Sequence, residues 1–404
     1  MFGPHSRIPA AIALVASGLG LTFASSSTLD YAAHLDRRLH DLHCSFVPGA
    51  PPTDAAEACR TAMYSPYAAF FRDKYWGGIP ISLFALGAFA FFAGFALYLL
   101  LAGDRAPRRA VGFFACVGVT PLLVSAVMAV ISATQLGSFC KTCIGIYIAS
   151  FLLALGALLG ALGLRRDAHV DAPVRPQGSW LVPLAFLPAL GAVCLVPAAV
   201  YASTVPDHRP YLDKCGTLKK DPVAGDSLLR MTGTKPVKPA LFFEDPLCPT
   251  CRAFHQRLDA EGVLERLDVQ LALFPLDSEC NWMLSTAMHP GACVVSKAVI
   301  CGKDRARQVL EWAYDEQDAL TRAGKAGAPT LRALLEKRWG AGTLECIDSN
   351  ETKQTLNKHL HFAADNAVAV STPQVFLGKQ RICDEDTDMG LRYTLRILAP
   401  EVVE

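Results

Sequence analysis

Five long stretches of apolar residues without a formal charge occupy the first half of the chain. Each is longer than the roughly 20 residues that an α-helix needs to cross about 30 Å of hydrocarbon. A buried helix of a soluble protein is rarely so apolar over this length, so the pattern predicts five transmembrane helices. The stretches are residues 8–29, 75–103, 110–140, 142–164 and 178–206.

After residue 206 the pattern becomes that of a soluble domain. Residues 239–244 and 267–274 are short apolar runs typical of strands. Cys248 lies between them and is followed by Pro249, a residue that the first turn of a helix tolerates. The order predicts a strand, a helix that begins at Cys248, and a second strand.

The remainder of the soluble part combines helices with one further strand. Residues 281–365 predict several short helices, with apolar side chains at helical spacing. Strand character returns at residues 373–377. A helical segment therefore separates the first two strands from the third.

Arginine residues indicate which ends of the membrane helices face the cytoplasm. Cytoplasmic loops retain Lys and Arg, and arginines concentrate before the first stretch, between the second and third, and between the fourth and fifth. This places residues 30–74, the turn at Cys140 and everything after residue 206 on the outer, or periplasmic, side. The arginines are Arg7, Arg105, Arg108, Arg109, Arg165, Arg166 and Arg175.

We expect an alkaline phosphatase fusion in the loop at residues 105–109 to be inactive. Alkaline phosphatase needs disulfides, which form only in the oxidising outer compartment. High phosphatase activity from that fusion would contradict the predicted orientation.

The first apolar stretch also has features of a cleavable signal peptide. Arg7 precedes it, and the small residues of FASSS follow the apolar run. The run is long for a signal peptide, so a retained helix is the preferred interpretation. The net charge of +1 gives no indication of a nucleic-acid partner.

Cysteine usage agrees with an oxidising compartment. Of 14 cysteines, the predicted topology places all but Cys116 and Cys194 on the outer side, where unpaired thiols oxidise. Cys116 and Cys194 fall within spans and are interpreted as small apolar packing residues.

Two C-x-x-C pairs carry the candidate chemistry. Cys140 and Cys143 lie at the mouth of the fourth span, and Cys248 and Cys251 lie in the soluble part. At a helix start, Cys248 meets the helix dipole and free backbone N–H groups, which stabilise a thiolate. Cys251, one turn later, resolves a mixed disulfide by intramolecular attack.

A C-x-x-C pair is also half of a common zinc site. The nearest partners, Cys280, Cys293 and Cys301, lack a second C-x-x-C spacing, and a proline between the thiols favours a redox helix. The six other soluble cysteines are predicted to form structural disulfides, and six thiols allow 15 pairings. Cys280 with Cys293 and Cys346 with Cys383 are the pairs hypothesised here.

The soluble part resembles the DsbA family of thioredoxin-like proteins. The resemblance rests on CPTC, on the helical insertion and on the segment STPQVFLG. It implies that Thr372–Pro373 is a cis peptide facing the active thiols, with Pro373 part of the catalytic site. An ordinary trans proline at the entrance of a strand is the alternative.

The membrane half resembles the vitamin K epoxide reductase family, specifically its bacterial members fused to a thioredoxin-like domain. The resemblance covers residues 8–165 in order. It rests on a loop with two cysteines after the first span, on YSPYAAFF, on GGIPISLF at the second span and on CKTCIGIY at the fourth.

This resemblance implies roles for two cysteine pairs. Cys44 and Cys59 correspond to a shuttle pair, and Cys140 and Cys143 to an active-site pair beside a quinone. The shuttle cysteines are 15 residues apart, wider than usual for the family, and the residues between them form a turn-rich insertion. A permanent loop disulfide is the alternative for Cys44 and Cys59.

The resemblance also implies quinone contacts. Ser65 and Tyr147 match positions that family members place against the quinone, next to Cys143, and plain helix packing is the alternative for both. GGIPISLF offers Ile81 or Ser82 where some members place a quinone-contacting amide.

The predicted architecture is a membrane α-helical bundle, with a four-helix core and a fifth linking span, followed by an α/β thioredoxin-like domain with a helical insertion. The predicted domains are residues 1–170, 171–206 and 207–404. The resemblances together imply a multi-pass protein of the cell inner membrane with its soluble domain in the periplasm.

The predicted function is that of a quinone-linked thiol–disulfide oxidoreductase, which makes disulfides in reduced exported proteins. Electrons pass from the soluble C-x-x-C pair through the shuttle pair to the membrane pair and to ubiquinone or menaquinone, without a metal. The alternatives are a carrier that delivers reducing equivalents outward, and a membrane-anchored thioredoxin-fold chaperone or metal receptor. Vitamin K epoxide is a less suitable physiological substrate for a chain that carries its own thioredoxin-like partner.

Overall fold

The computed structural model describes residues 7–35, 62–63, 65–136, 139–167, 177–223, 226–387 and 389–404. The chain divides into two compact units between Pro206 and Asp207. Each unit is built around its own apolar core.

Among the described residues, five helical segments are long and apolar enough to cross a membrane, which confirms the predicted number of spans. They cover Arg7–Ala32, Ile81–Arg105, Arg108–Leu136, Lys141–Leu164 and Leu184–Tyr211. The helices that compose them are α1 (Arg7–Leu35), α2 (Ile81–Ala102), α3 (Arg108–Val117), α4 (Thr120–Ile131), α5 (Lys141–Asp167) and α6 (Leu181–Thr204).

Two apolar stretches differ from continuous helices. The predicted second span began at residue 75, but helix α2 begins at Ile81, after a small hairpin of strands β1 (Ala69–Phe70) and β2 (Ile79–Pro80). Gly77 and Gly78 have φ of 77° and 74°, a conformation that favours glycine and so prevents a helix there. The third span is interrupted between α3 and α4 and ends in a π-helical turn, Ser132–Leu136.

Small residues allow the membrane helices to pack closely. Helix α1 packs against α2 and α5, and Ala13 and Ala149 are fully buried. A Cβ atom at Gly20 of α1 would collide with the ring of Phe89 on α2. In a bilayer, where apolar burial gives little drive for helix association, such close contact is a main source of stability.

The second unit contains a five-stranded mixed sheet in the order β3-β5-β4-β6-β7. Strands β4 and β5 are parallel, and the other neighbouring pairs are antiparallel. The strands are β3 (Leu229–Arg230), β4 (Lys238–Glu244), β5 (Leu267–Leu273), β6 (Gln374–Leu377) and β7 (Gln380–Ile382).

Helices cover both faces of this sheet. Phe242 of β4 contacts Phe254, which lies in the helix that follows β4. Phe243 lies on the opposite face of the sheet, where it stacks on Phe362. The helices are α7 (Pro249–Ala260), α8 (Ala292–Cys301), α9 (Ala306–Asp315), α10 (Gln317–Ala326), α11 (Ala328–Trp339), α12 (Ala341–Asp348), α13 (Asn350–Asp365), α14 (Leu391–Leu398) and α15 (Pro400–Val403).

The three predicted strands and the helical segment between the second and third are confirmed. Strands β3 and β7 and helices α14 and α15 were not predicted. Strands of two or three residues are too short to show an alternating pattern, and their pairing depends on the tertiary fold.

Three disulfides join the six additional cysteines of the second unit. Cys280–Cys293 confirms one hypothesised pair. The pairing of Cys346 with Cys383 was wrong, because Cys346 on α12 faces Cys301 at the end of α8, and Cys383 lies after β7 at the sheet edge. The other two bonds are Cys301–Cys346 and Cys215–Cys383.

Candidate active site

The soluble dithiol lies where strand β4 turns into helix α7. The Asp245 carboxylate accepts a hydrogen bond from the Leu247 amide at 2.7 Å, and the Asp245 carbonyl accepts one from the Cys248 amide at 3.0 Å. Such local bonds are why aspartate favours turns. Cys248 is the N-cap of α7 and Pro249 its first residue, as predicted. The turn therefore fixes Cys248 at a helix start.

The two thiols differ strongly in environment. Both are free and buried, with Cys248 4% and Cys251 0% exposed. The hydrogen bond from Cys251 is the main cause that lowers the pKa of Cys248 to about 6. Burial, together with the neighbouring Cys248 and Glu244, raises the pKa of Cys251 well above its ordinary value. Cys248 is therefore the thiolate and Cys251 the protonated partner.

The segment at Pro373 lies against Cys248. The Thr372–Pro373 peptide is cis, which confirms the predicted geometry and makes the trans alternative wrong. When Cys248 is protonated, its thiol donates to the Thr372 carbonyl at 3.5 Å. The Thr372 hydroxyl is buried with no hydrogen-bond partner among the described residues, so it is available to donate to a Cys248 thiolate.

A buried carboxylate lies behind the dithiol and was missed by the sequence reasoning. Glu244 is fully buried at the end of β4, and the Tyr314 hydroxyl donates to its Oε2 at 3.0 Å. Burial raises the pKa of Glu244 to about 7. A charged residue that closes an otherwise apolar strand, as in LFFE, is the sequence signal that could have identified it.

Gln317 was also missed. It is the first residue of α10 in the helical segment, and it is 2% exposed. Its Nε2 donates to the carbonyls of Pro246 and Cys248, each at 3.0 Å. The helical segment thus holds the backbone of the C-x-x-C turn, and nothing in the sequence near Gln317 indicates this.

The membrane dithiol lies at the start of helix α5. Cys140 is buried and Cys143 is half-buried, and both are free thiols. The Cys140 Sγ and the Thr142 Oγ1 are 2.9 Å apart. Ala62 and Met63 pack against this pair, so the thiols have an apolar cover.

Ser65 and Tyr147 lie near this dithiol. The Ser65 hydroxyl donates to the Ala62 carbonyl at 2.8 Å, which ties Ser65 to the residues that cover Cys140. The Tyr147 hydroxyl forms a hydrogen bond with Ser132 in the π-helical turn, and Tyr147 interacts electrostatically with both thiols. Ser132 was not identified from the sequence.

The Ser82 hydroxyl accepts a hydrogen bond from Thr28 of α1 at 2.9 Å. The remaining predicted pair, Cys44 and Cys59, lies outside the described residues.

The residues around the membrane dithiol fit a quinone headgroup. A quinone ring needs apolar contacts and hydrogen-bond donors for its oxygens. Ala62 and Met63 supply the apolar contacts, and Tyr147 supplies a hydroxyl next to Cys143. The described residues contain no cluster of three or more His, Cys, Asp or Glu suited to a metal ion. The three cysteines considered as zinc partners are in disulfides.

Comparison with protein families matches residues 11–158 to the Vitamin K epoxide reductase family. The match covers less than half of the chain, and a mixed α/β region follows it. Members of this family are membrane oxidoreductases that act on thiols and disulfides, and they generally use quinones. No curated protein and no solved structure matches the chain.

Proposed function

Because residues 11–158 form a Vitamin K epoxide reductase family domain, we propose that this protein is a quinone-linked oxidase of protein dithiols. In this proposal the second unit is a thioredoxin-like domain of the DsbA type that receives electrons from exported proteins. The observation that carries the proposal is the presence, in one chain, of a reactive soluble dithiol and a second dithiol at a membrane helix.

The thioredoxin-like assignment is supported by the arrangement around Cys248. A parallel strand pair, β4 and β5, is connected by the helix that carries the C-x-x-C pair. A cis proline precedes β6 and lies against the nucleophilic thiol. The helical segment between β5 and β6 corresponds to the insertion of the DsbA family.

The first step is exchange between a client dithiol and the Cys248–Cys251 disulfide. A client thiolate attacks the Cys248 sulfur, which forms a mixed disulfide and releases Cys251 as a thiolate that takes up a proton. The second client thiolate then attacks the client sulfur and releases Cys248. The client gains a disulfide, and the two electrons remain on Cys248 and Cys251.

The low pKa of Cys248 favours this direction. A thiolate that is stable in the reduced protein is a good leaving group, and it makes the disulfide more oxidising. DsbA-type oxidants use this property. A carrier of reducing equivalents needs a less stable thiolate and therefore a less oxidising disulfide. Cys248 with a pKa of about 6 therefore supports the oxidase over the outward carrier.

The electrons then pass to the membrane. The Cys248 thiolate attacks a disulfide between Cys44 and Cys59, and that pair in turn reduces a Cys140–Cys143 disulfide by the same exchange. Cys140 and Cys143 would return to the disulfide by giving up two electrons and two protons, for which a quinone, when bound, would supply the acceptor. Tethering the two units in one chain raises the effective concentration of each dithiol to about the millimolar range.

Two site residues and the location complete the proposal. Ser65 and Tyr147 would hold a quinone beside Cys143, with the Tyr147 hydroxyl oriented by Ser132. The protein resides in the cell inner membrane with its second unit in the periplasm, where clients emerge reduced. A chaperone or metal receptor would leave the membrane dithiol without a role.

Quinone reduction by the purified chain tests this function. We expect the full chain in detergent, supplied with a reduced unfolded protein, to reduce ubiquinone or menaquinone. The Cys140→Ala variant should reduce none, because no dithiol then meets the acceptor. The Cys116→Ala variant is the matched control, since Cys116 is a free cysteine on α3 with no role in the path.

Two results would contradict the proposal. Absence of quinone reduction by the intact chain would favour the outward carrier or the binding module. Undiminished reduction by Cys140→Ala would place the quinone chemistry elsewhere.

A further inference from the structure

A histidine outside the C-x-x-C pair contacts the turn that carries it. His289 Nδ1 lies 2.7 Å from Asp245 Oδ2. Asp245 is 0% exposed, and its carboxylate also accepts hydrogen bonds from the amides of Leu247 at 2.7 Å and Leu276 at 2.8 Å. The Asp245 carboxylate thus links the active-site turn to the loop that follows β5.

The position of His289 is fixed by its own loop. The amides of Met288 and His289 both donate to the Leu276 carbonyl, at 2.9 and 3.0 Å. The Asp277 carboxylate accepts a hydrogen bond from Gly291 at 2.9 Å, and the Cys280–Cys293 disulfide closes the loop. The His289 side chain keeps 19% exposure, so it exchanges protons with water.

A buried aspartate next to a thiolate has an electrostatic cost. Taking a carboxylate out of water is unfavourable unless an opposite charge or hydrogen bonds compensate it. The Asp245 charge also opposes ionisation of Cys248 and raises the pKa of that thiol. A cation beside Asp245 reduces both penalties.

We propose that His289 is a positioning residue of the dithiol, whose imidazolium offsets the Asp245 charge and so favours the Cys248 thiolate. This inference rests on the proposed function only in that it concerns the same dithiol. It adds a residue from outside the C-x-x-C motif and the cis-proline segment to the control of Cys248.

The charges around His289 support this role. Burial opposes its charge, but the hydrogen bond to Asp245 and the charges of Asp245, Cys248 and Asp277 together raise the pKa of His289 above its ordinary value. The imidazolium is therefore present over the acidic pH range in which Cys248 begins to ionise. The titratable groups that interact with Cys248 are Cys251, Asp245, Glu244, Tyr314 and His289.

The pH profile of Cys248 alkylation tests the proposal. In the full chain with both dithiols reduced, iodoacetamide labelling of Cys248 is followed by mass spectrometry from pH 5 to pH 9. We expect His289→Gln to lower the rate at pH 5 about tenfold, which corresponds to loss of one favourable neighbouring charge. At pH 9 the rates should agree, since the thiol is ionised in both proteins.

Two variants make the result specific. His289→Lys keeps a positive charge and should retain most of the wild-type rate at pH 5. His361→Gln makes the same change at an exposed histidine of α13. The His361 ring contacts Trp282 at a tilted angle, and this variant should leave the profile unchanged. A His289→Gln profile within twofold of wild type at every pH would overturn the proposal.

A measurement on the unmodified chain decides the question if His289→Gln does not fold. The His289 imidazole, assigned through its backbone, is titrated by NMR in the dithiol and disulfide states. We expect its pKa to be lower in the disulfide state, because the thiolate is then absent. Equal values would overturn the proposal. Neither measurement involves a quinone, so failure here is distinguishable from failure of the proposed function.

Discussion

Replacing Cys251 with alanine is expected to trap clients on Cys248 as mixed disulfides. In the wild-type chain, Cys251 lies one helical turn from Cys248 and attacks the mixed disulfide as an intramolecular nucleophile. Without it, release depends on the client's own second thiol or on a thiol from outside. The lifetime of the complex should increase on the order of a hundredfold or more.

The complex is measured by presenting the full-length Cys251→Ala chain with a disulfide-containing client and separating the products on a non-reducing gel. The Cys248→Ala variant should form no complex, because the remaining thiol is fully buried and has a raised pKa. Equal trapping by Cys248→Ala would reverse the assigned roles of the two thiols.

The second large effect concerns the buried carboxylate of Glu244. Its pKa of about 7 lies above the ordinary value of 4.5, so the folded protein binds this proton more tightly than the unfolded chain does. Stability from this group is present at low pH and is lost as the pH rises toward 7. Between pH 5 and pH 8 the loss is on the order of 2 kcal/mol.

The Glu244→Gln variant should lose this pH dependence. Glutamine has nearly the same size, and its carbonyl oxygen still accepts the Tyr314 hydroxyl, but it never becomes charged. We therefore compare the melting temperature of the second unit in the variant and in the wild type at each pH. The variant's value minus the wild-type value should increase by about 5 °C or more between pH 5 and pH 8. Scanning calorimetry of the disulfide form measures this without titration of Cys248 and Cys251.

A control separates this effect from a general change of charge. Glu336 is exposed on helix α11, and Glu336→Gln should follow the wild-type pH dependence. If Glu244→Gln also followed it, Glu244 would be ionised in the folded protein across this range.

Length and composition were enough to predict the five apolar helices. The break between α3 and α4 was not predictable, because it lies within uncharged, apolar sequence. The late start of α2 had a signal in Gly77 and Gly78, which length and composition alone do not use. Periodicity and proline placement predicted β4, α7 and β5, whereas the cis geometry at Thr372 came from a family resemblance.

The cysteine pairs show the same division. Cys280 and Cys293 are 13 residues apart, and their hypothesised pairing is confirmed. Cys215 and Cys383 are 168 residues apart, and only the folded sheet brings them together. Gln317 and His289 were missed for this reason as well, since each contacts a turn far from it in the chain. Glu244 was missed because a single charged residue at the end of a strand does not reveal its burial.

The hydrogen bonds of Gln317 have a consequence for engineering. Its amide holds the carbonyls of Pro246 and Cys248, so the helical segment forms part of the wall of the reactive turn. A shortened domain that keeps only the sheet and helix α7 would remove this donor from the Pro246 carbonyl and would leave the Cys248 carbonyl with only the Arg252 amide of α7. Attempts to obtain a minimal redox module from this protein must therefore retain helix α10.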